Sequence, residues 1–209
     1  MIEKKLPSNI AIFPLSNAIF FPRTILPLNI FEDRYIQLVN ECMKQERMFG
    51  MVQPKNKKSQ VYEVGCLGKI ISFNETPDKR FIINLEGITR FRIKKELESK
   101  KLYREFSVNY SEFLNDLKFV EDKIIKFDKD DLLKKIIVFL DKINFNINHR
   151  QLAEFNLDEL ISNICMISPF STEEKQKLIE ALKVEDKAKL LDEIITSSLF
   201  ELQENKTMQ

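Results

Sequence analysis

The stretch Phe13–Tyr35, FPLSNAIFFPRTILPLNIFEDRY, places Pro14, Pro22 and Pro27 inside a run of Ile, Leu and Phe. Proline has no N–H to give to a ladder and breaks a helix interior. These residues therefore exclude one long helix and mark the edges or corners of short strands. The charged end of the stretch reads differently. Asn29 and Glu32 have capping-box spacing, and Phe31, Tyr35, Leu38, Val39 and Cys42 then recur at helical spacing. The pattern predicts a helix over about residues 30–46, with those five side chains as its buried face.

Strand material follows. RMFGMVQP (47–54) reads as one strand, and VYEVGCLGKIISFN (61–74) as another, bent at Gly65 or Gly68. ETPDKR (75–80) is a turn with Pro77 and Asp78 at its centre. FIINLEG and ITRFRI read as a strand pair with a bulge or bend at Gly87, and LYREFSVNYSEF (102–113) alternates again. Many short strands with one inserted helix predict an α+β fold, a small, mostly antiparallel β-barrel over 1–115. Beyond it the period becomes helical: Leu132, Leu133, Ile136, Ile137, Leu140 and Ile143, then Leu152, Phe155, Ile161 and Ile164. Ser171 and Glu174 form a capping box, and Leu190, Leu191, Ile194 and Ile195 mark a last helix. A helical subdomain is expected over 116–202, with 203–209 a frayed polar tail.

The 209 residues are long enough to bury a core without a metal or disulfide. Cys42, Cys66 and Cys165 are odd in number and form no CxxC, which points to a reducing, cytoplasmic setting. One histidine, His149, and three scattered cysteines make no metal set, so no metal and no cofactor are expected. Gly65-Cys66-Leu67-Gly68-Lys69 lacks phosphate-loop spacing, and no nucleophile elbow accompanies His149. The carboxylate pairs Glu32-Asp33 and Asp130-Asp131 sit at helix starts, where the helix dipole favours them. A non-enzyme is expected. No apolar run is long enough to span a membrane.

The net charge of +1 is unevenly spread. Residues 1–110 carry 19 Lys and Arg against 12 Asp and Glu, and residues 111–209 carry 14 against 20. A basic half with interleaved aromatics suits RNA, through Arg80, Arg90, Arg92, Lys94, Lys101 and Arg104. Alternation along a strand opposes this, because it sends Phe91 to the core and Arg92 to the surface.

The ordered series IAIFPLSNAIFFPRTILPLNIFEDRY, RMFGMV, YEVGCLGKI, LEGITRFRI and ISPFSTEEKQKLIEA resembles the N-terminal domain of ATP-dependent Lon proteases, over nearly the whole chain. The resemblance implies a PUA-like β-domain followed by a helical subdomain. It also implies recognition of unfolded or tagged polypeptides, with a protease or chaperone as possible partner. The ATPase and Ser-Lys peptidase motifs of that family are absent here, so the resemblance implies a stand-alone binding or adaptor domain active in protein quality control without ATP. Two positions depart from the family pattern: Arg23 stands for a glycine and Asn29 for a histidine. The surplus apolar residues Phe21, Pro22, Ile25 and Leu26 are the expected polypeptide-binding patch if they are exposed together. In that case Phe21→Ser weakens binding without lowering stability. The other reading is that the helical subdomain covers them.

Overall fold

A computed structural model describes residues 6–16, 18–55, 60–118 and 127–207, with the backbone alone for 203–207. The chain forms two compact units, Met1–Phe119 and Val120–Gln209.

In the first unit two of the three prolines of Phe13–Tyr35 fall outside or at the end of a strand, and the third lies inside an edge strand. Pro14 ends β1 (Asn9–Pro14), Pro22 lies in a turn, and Pro27 sits within β2 (Ile25–Ile30). β2 is an outermost strand, paired with β5 (Phe81–Leu97) alone, from Ile25↔Glu86 to Ile30↔Phe81. This corrects the expected helix start. Asn29 is a strand residue opposite Ile82, and the helix α1 runs Asp33–Met43 with Glu32 as its N-cap. Six consecutive strand pairs outweigh one cap, which is worth about 1 kcal/mol. Tyr35, Leu38, Val39 and Cys42 are buried as expected, whereas Phe31 precedes the helix and is 62% exposed.

β3 (Met48–Val52) runs parallel to β1 and antiparallel to β4 (Val64–Glu75). β5 is one seventeen-residue strand where two were expected. One irregularity lies where Gly68 faces Gly87, with Ile88 the extra residue; others fall at Ile71 on β4 and between Ile93 and Lys95 against β6. Gly87 is needed for close approach. Its N–H donates to the Thr24 carbonyl at 2.9 Å, the Arg23 N–H donates back to its carbonyl at 2.8 Å, and a Cβ there would collide with the Phe21 carbonyl. β6 (Arg104–Asn109) pairs with both β1 and β5. The ladder thus runs β5–β4–β3–β1–β6 and returns to β5, with β2 outside it. Ile10, Ile12, Val52, Leu67, Phe91, Phe106 and Val108 fill its core.

The second unit is helical: α2 (Lys129–Lys142), α3 (His149–Glu154), α4 (Leu157–Ile167), α5 (Thr172–Glu180) and α6 (Val184–Thr207). α6 packs against α2, α4 and α5, around Leu132, Ile136, Leu160, Ile164, Leu178 and Leu191. The Ser171–Glu174 capping box is present. The stripe read from Leu152 to Ile164 divides in two, because Phe155 is extended and Asn156 opens a fresh capping box with Glu159. Helix α6 continues to Thr207, through most of the segment expected to fray.

Candidate functional site

The four residues expected to form an apolar patch do not share a surface. Phe21 is fully buried and Pro22 is buried, Leu26 is half-buried, and Ile25 is 55% exposed. The expected patch is corrected on this point. The Phe21–Thr24 turn is drawn onto Gly87, and Thr24 donates its hydroxyl to the Phe21 carbonyl at 2.7 Å. Arg23 takes the turn position where glycine is favoured, with φ of 62°. An L-residue there costs about 1–2 kcal/mol. Arg23 offsets part of this by donating from its guanidinium to the Asp116 carbonyl at 2.8 Å.

The expected basic face is largely neutralised in place. Arg90 is 2% exposed and makes two hydrogen bonds, at 2.9 and 2.8 Å, to the Asp116 carboxylate, which also accepts the Arg90 backbone N–H. Arg92 is bidentate on Glu112, Arg104 is bidentate on Glu96, and Arg80 pairs with Asp78 at 2.8 Å. Lys101 contacts Glu41 and Glu105 at 3.1 and 2.9 Å, while Lys94 is exposed. Arg90 therefore cannot reach a phosphate, and four of the other five would each have to exchange a carboxylate for one. The expectation for Arg90 is corrected: the 3-10 helix Ser111–Leu117 supplies Asp116 and covers the strand face that alternation alone leaves in water.

Beside these carboxylates the Tyr103 hydroxyl donates to Glu41 at 2.6 Å. That bond, with Lys101 behind it, holds the Glu41 carboxyl below its ordinary range. Burial pushes the Cys42 and Cys165 thiols up to about 12, so these two cysteines are unreactive near neutral pH; Cys66 is buried as well.

The open apolar surface lies elsewhere. Phe31, on the connection from β2 to α1, lines two clefts. The wider, about 620 Å³, is bounded by Phe31, Asp33 and Ile36 on one side and by Glu75, Asp78, Arg80 and Phe81 on the other. The narrower, about 310 Å³, lies between Phe31, Leu28 and Ile30 and the Phe13–Tyr35 ring pair, stacked at 3.8 Å. Arg80 stands 6.0 Å from the Phe31 ring, and Phe73 packs on Phe81 at 4.9 Å. Ile71, Phe73 and Ile82 are also exposed on the β4–β5 hairpin. Phe31, Phe73 and Phe81 line or adjoin the wider cleft, whereas Ile82, one residue on from Phe81, lies on the opposite face of the sheet. Sequence reasoning missed Phe31 because its spacing also fits the helix face. The usable signal was its place directly after a strand that ends in Ile30.

Among the described residues, no group of three or more His, Cys, Asp or Glu is placed to hold a metal ion, and no helix is long and apolar enough to cross a membrane.

Comparison with known proteins gives a consistent result. The Lon protease of Cytophaga hutchinsonii is 26% identical over 190 residues, covering 86% of this chain and 23% of its own length. The Lon protease of Desulfosudis oleivorans is 25% identical over 187 residues, with the same coverage. The chain thus spans about a quarter of the length of these relatives. Among solved structures, a Lon N-terminal domain protein from Xanthomonas campestris superposes with a TM-score of 0.65 at 18% identity, over 88% of this chain and 97% of that one. The N-terminal domain of the Mycobacterium avium complex Lon protease gives 0.61 at 12%, over 90% and 98%. The profile of the ATP-dependent protease La (LON) substrate-binding domain matches residues 9–197, and this chain belongs to that family, whose domain is the substrate-binding part of Lon and not its protease part.

Proposed function

We propose that the chain is a non-enzymatic polypeptide-recognition domain, and that the two clefts on either side of Phe31 take apolar side chains of an unfolded or tagged polypeptide. The observation that carries this reading is Phe31 itself: a large aromatic, 62% exposed, lining two clefts at once. What sets Phe31 apart from other exposed apolar residues is its place on both clefts, where an apolar side chain of a ligand would cover it. The family supports the ligand class. A role as an adaptor in protein quality control, acting without ATP beside a protease or chaperone, is the wider form of the proposal. We read the closed pairing circuit as a PUA-like barrel, with 1–115 as the binding module and 116–202 as a helical support.

The test is a fluorescence-anisotropy titration with a reduced, carboxymethylated polypeptide and, separately, a short single-stranded RNA, at low and near-physiological salt. Binding of the polypeptide that tolerates salt and is lost in Phe31→Ser supports the proposal. Binding of RNA alone, falling steeply with salt, would replace it with a phosphate-binding reading.

A further inference from the structure

We propose that the outer edge of β4 between Ile71 and Glu75 takes an extended segment of polypeptide as an added strand. This rests on the polypeptide-binding reading above and states how the main chain of the ligand is held.

The edge is open by construction. β3 pairs with β4 only as far as Met48↔Lys69, and the Ile70 N–H closes that side by donating to the Arg47 carbonyl at 2.8 Å. Beyond this point β4 pairs with β5 alone, from Ser72↔Asn84 to Glu75↔Phe81, and all five residues 71–75 are exposed. Hydrogen bonds at two places fix which amides point outward. The Thr76 N–H donates across the hairpin to the Arg80 carbonyl at 2.9 Å, so Asn74 and Ser72, in step with Thr76, also face β5. Independently, Gly87 exchanges its bonds with Arg23 and Thr24 on the β2 side, which turns Ile82 and Asn84 of β5 toward β4. Both observations leave the amides of Phe73 and Glu75 directed at the free edge, where nothing among the described residues meets them.

The other outer edge differs. On β2 the same alternation points Ile25, Pro27 and Asn29 outward, and Pro27 has no N–H to offer. Proline and lysine are the usual means of blunting an edge. The sequence Ile71-Ser72-Phe73-Asn74-Glu75 contains neither, and the bulge at Ile71 leaves the regular pairing of Ser72 to Glu75 with β5 intact. One edge is interrupted by Pro27, and the other keeps both of its outward amides.

The open edge also adjoins the proposed site. Glu75 and Phe81 line the wider Phe31 cleft, and the Phe73 ring touches Phe81. A chain laid along β4 would form main-chain bonds to Phe73 and Glu75 and carry its next side chains toward Phe31. Main-chain bonding is indifferent to side-chain identity, which suits a site that accepts many unfolded sequences. A second copy of this chain fits less well. Two five-residue edges fall far short of the roughly 20–30 residues a side found in stable interfaces.

The test uses a soluble peptide of about twelve residues, alternating Val and Thr between terminal Lys residues. It is compared with a twin N-methylated at every second residue and with a scrambled version. The proposal expects the twin to lose at least about tenfold in affinity and the scrambled peptide to stay within about threefold. It also expects slower hydrogen exchange at the Phe73 and Glu75 amides on binding. Phe73→Pro, which removes an outward amide, should lose about tenfold, and Phe73→Ala distinctly less. If Phe73→Pro does not fold, the N-methyl comparison on the unaltered protein decides. Equal affinity of the twin overturns the proposal. If Phe31→Ser still abolishes binding of the carboxymethylated polypeptide in that case, the cleft reading survives and only the edge falls. If no polypeptide binds, both fall. A dimer in sedimentation that Phe73→Pro dissociates would assign the edge to a second copy and also overturn the proposal.

Discussion

Strand β5 crosses two regions that treat the same kinds of residue in opposite ways. In its second half one charge is taken inside: Arg90 lies buried against Asp116 while Phe91 fills the opposite face. Along its first half, apolar groups are left outside: Ile82 on β5, Ile71 and Phe73 on β4, and Phe31 beyond β2. The first arrangement commits polar groups to holding the unit together. The second leaves apolar area that folding did not use. On the proposed function, stability and recognition fall at different ends of one strand, and substitutions should separate them.

The largest loss of stability belongs to the packed side. Phe21→Ser removes a fully buried ring and adds a hydroxyl, so a loss of about 3–5 kcal/mol is expected in urea unfolding. Asp116→Ala leaves the Arg90 guanidinium buried without its carboxylate, and a loss of about 3 kcal/mol or more is expected. Were either change near neutral, the division between the two halves of β5 would be wrong. Arg23→Ala should cost about 1 kcal/mol, because alanine keeps the left-handed strain and loses the bond to the Asp116 carbonyl. Arg23→Gly should fall close to zero, since relief of strain offsets the same loss. The smallest stability effect is expected on the display side: Phe31→Ser should change unfolding by no more than about 0.5 kcal/mol.

A pH measurement sharpens the account in the helical unit. Burial lowers the Lys175 pKa below the usual lysine value. The unfolded chain therefore holds that proton to higher pH than the folded one, and stability should rise between the folded value and about 10.5. The rise should be missing in Lys175→Met. A wild-type profile that falls across that window would show that other groups dominate there.

The sequence made the packed region readable because core residues leave periodic patterns. Phe91, Leu132, Ile136 and the Ser171–Glu174 box were all recoverable from spacing. Pro14 and Pro22 marked a strand end and a turn because a missing N–H is a local property, whereas Pro27, expected at a boundary or corner, sits inside β2 and is tolerated because β2 is an edge strand. Phe31, Arg90 and Phe21 were misplaced for one shared reason. Whether an apolar or charged side chain is covered depends on more than its spacing: on the 3-10 helix for Arg90, the approach to Gly87 for Phe21, and the start of α1 only at Asp33 for Phe31. Edge status is similarly non-local. Nothing in Ile71–Glu75 itself says that β3 stops pairing at Lys69.

The central claim is that Phe31 is displayed for binding and contributes little to folding. The most direct test measures the affinity of wild type and Phe31→Ser for the carboxymethylated polypeptide by anisotropy, with urea midpoints on the same samples. The account predicts at least about a tenfold loss of affinity at an unchanged midpoint. Unchanged affinity, or a midpoint that falls together with affinity, would contradict it.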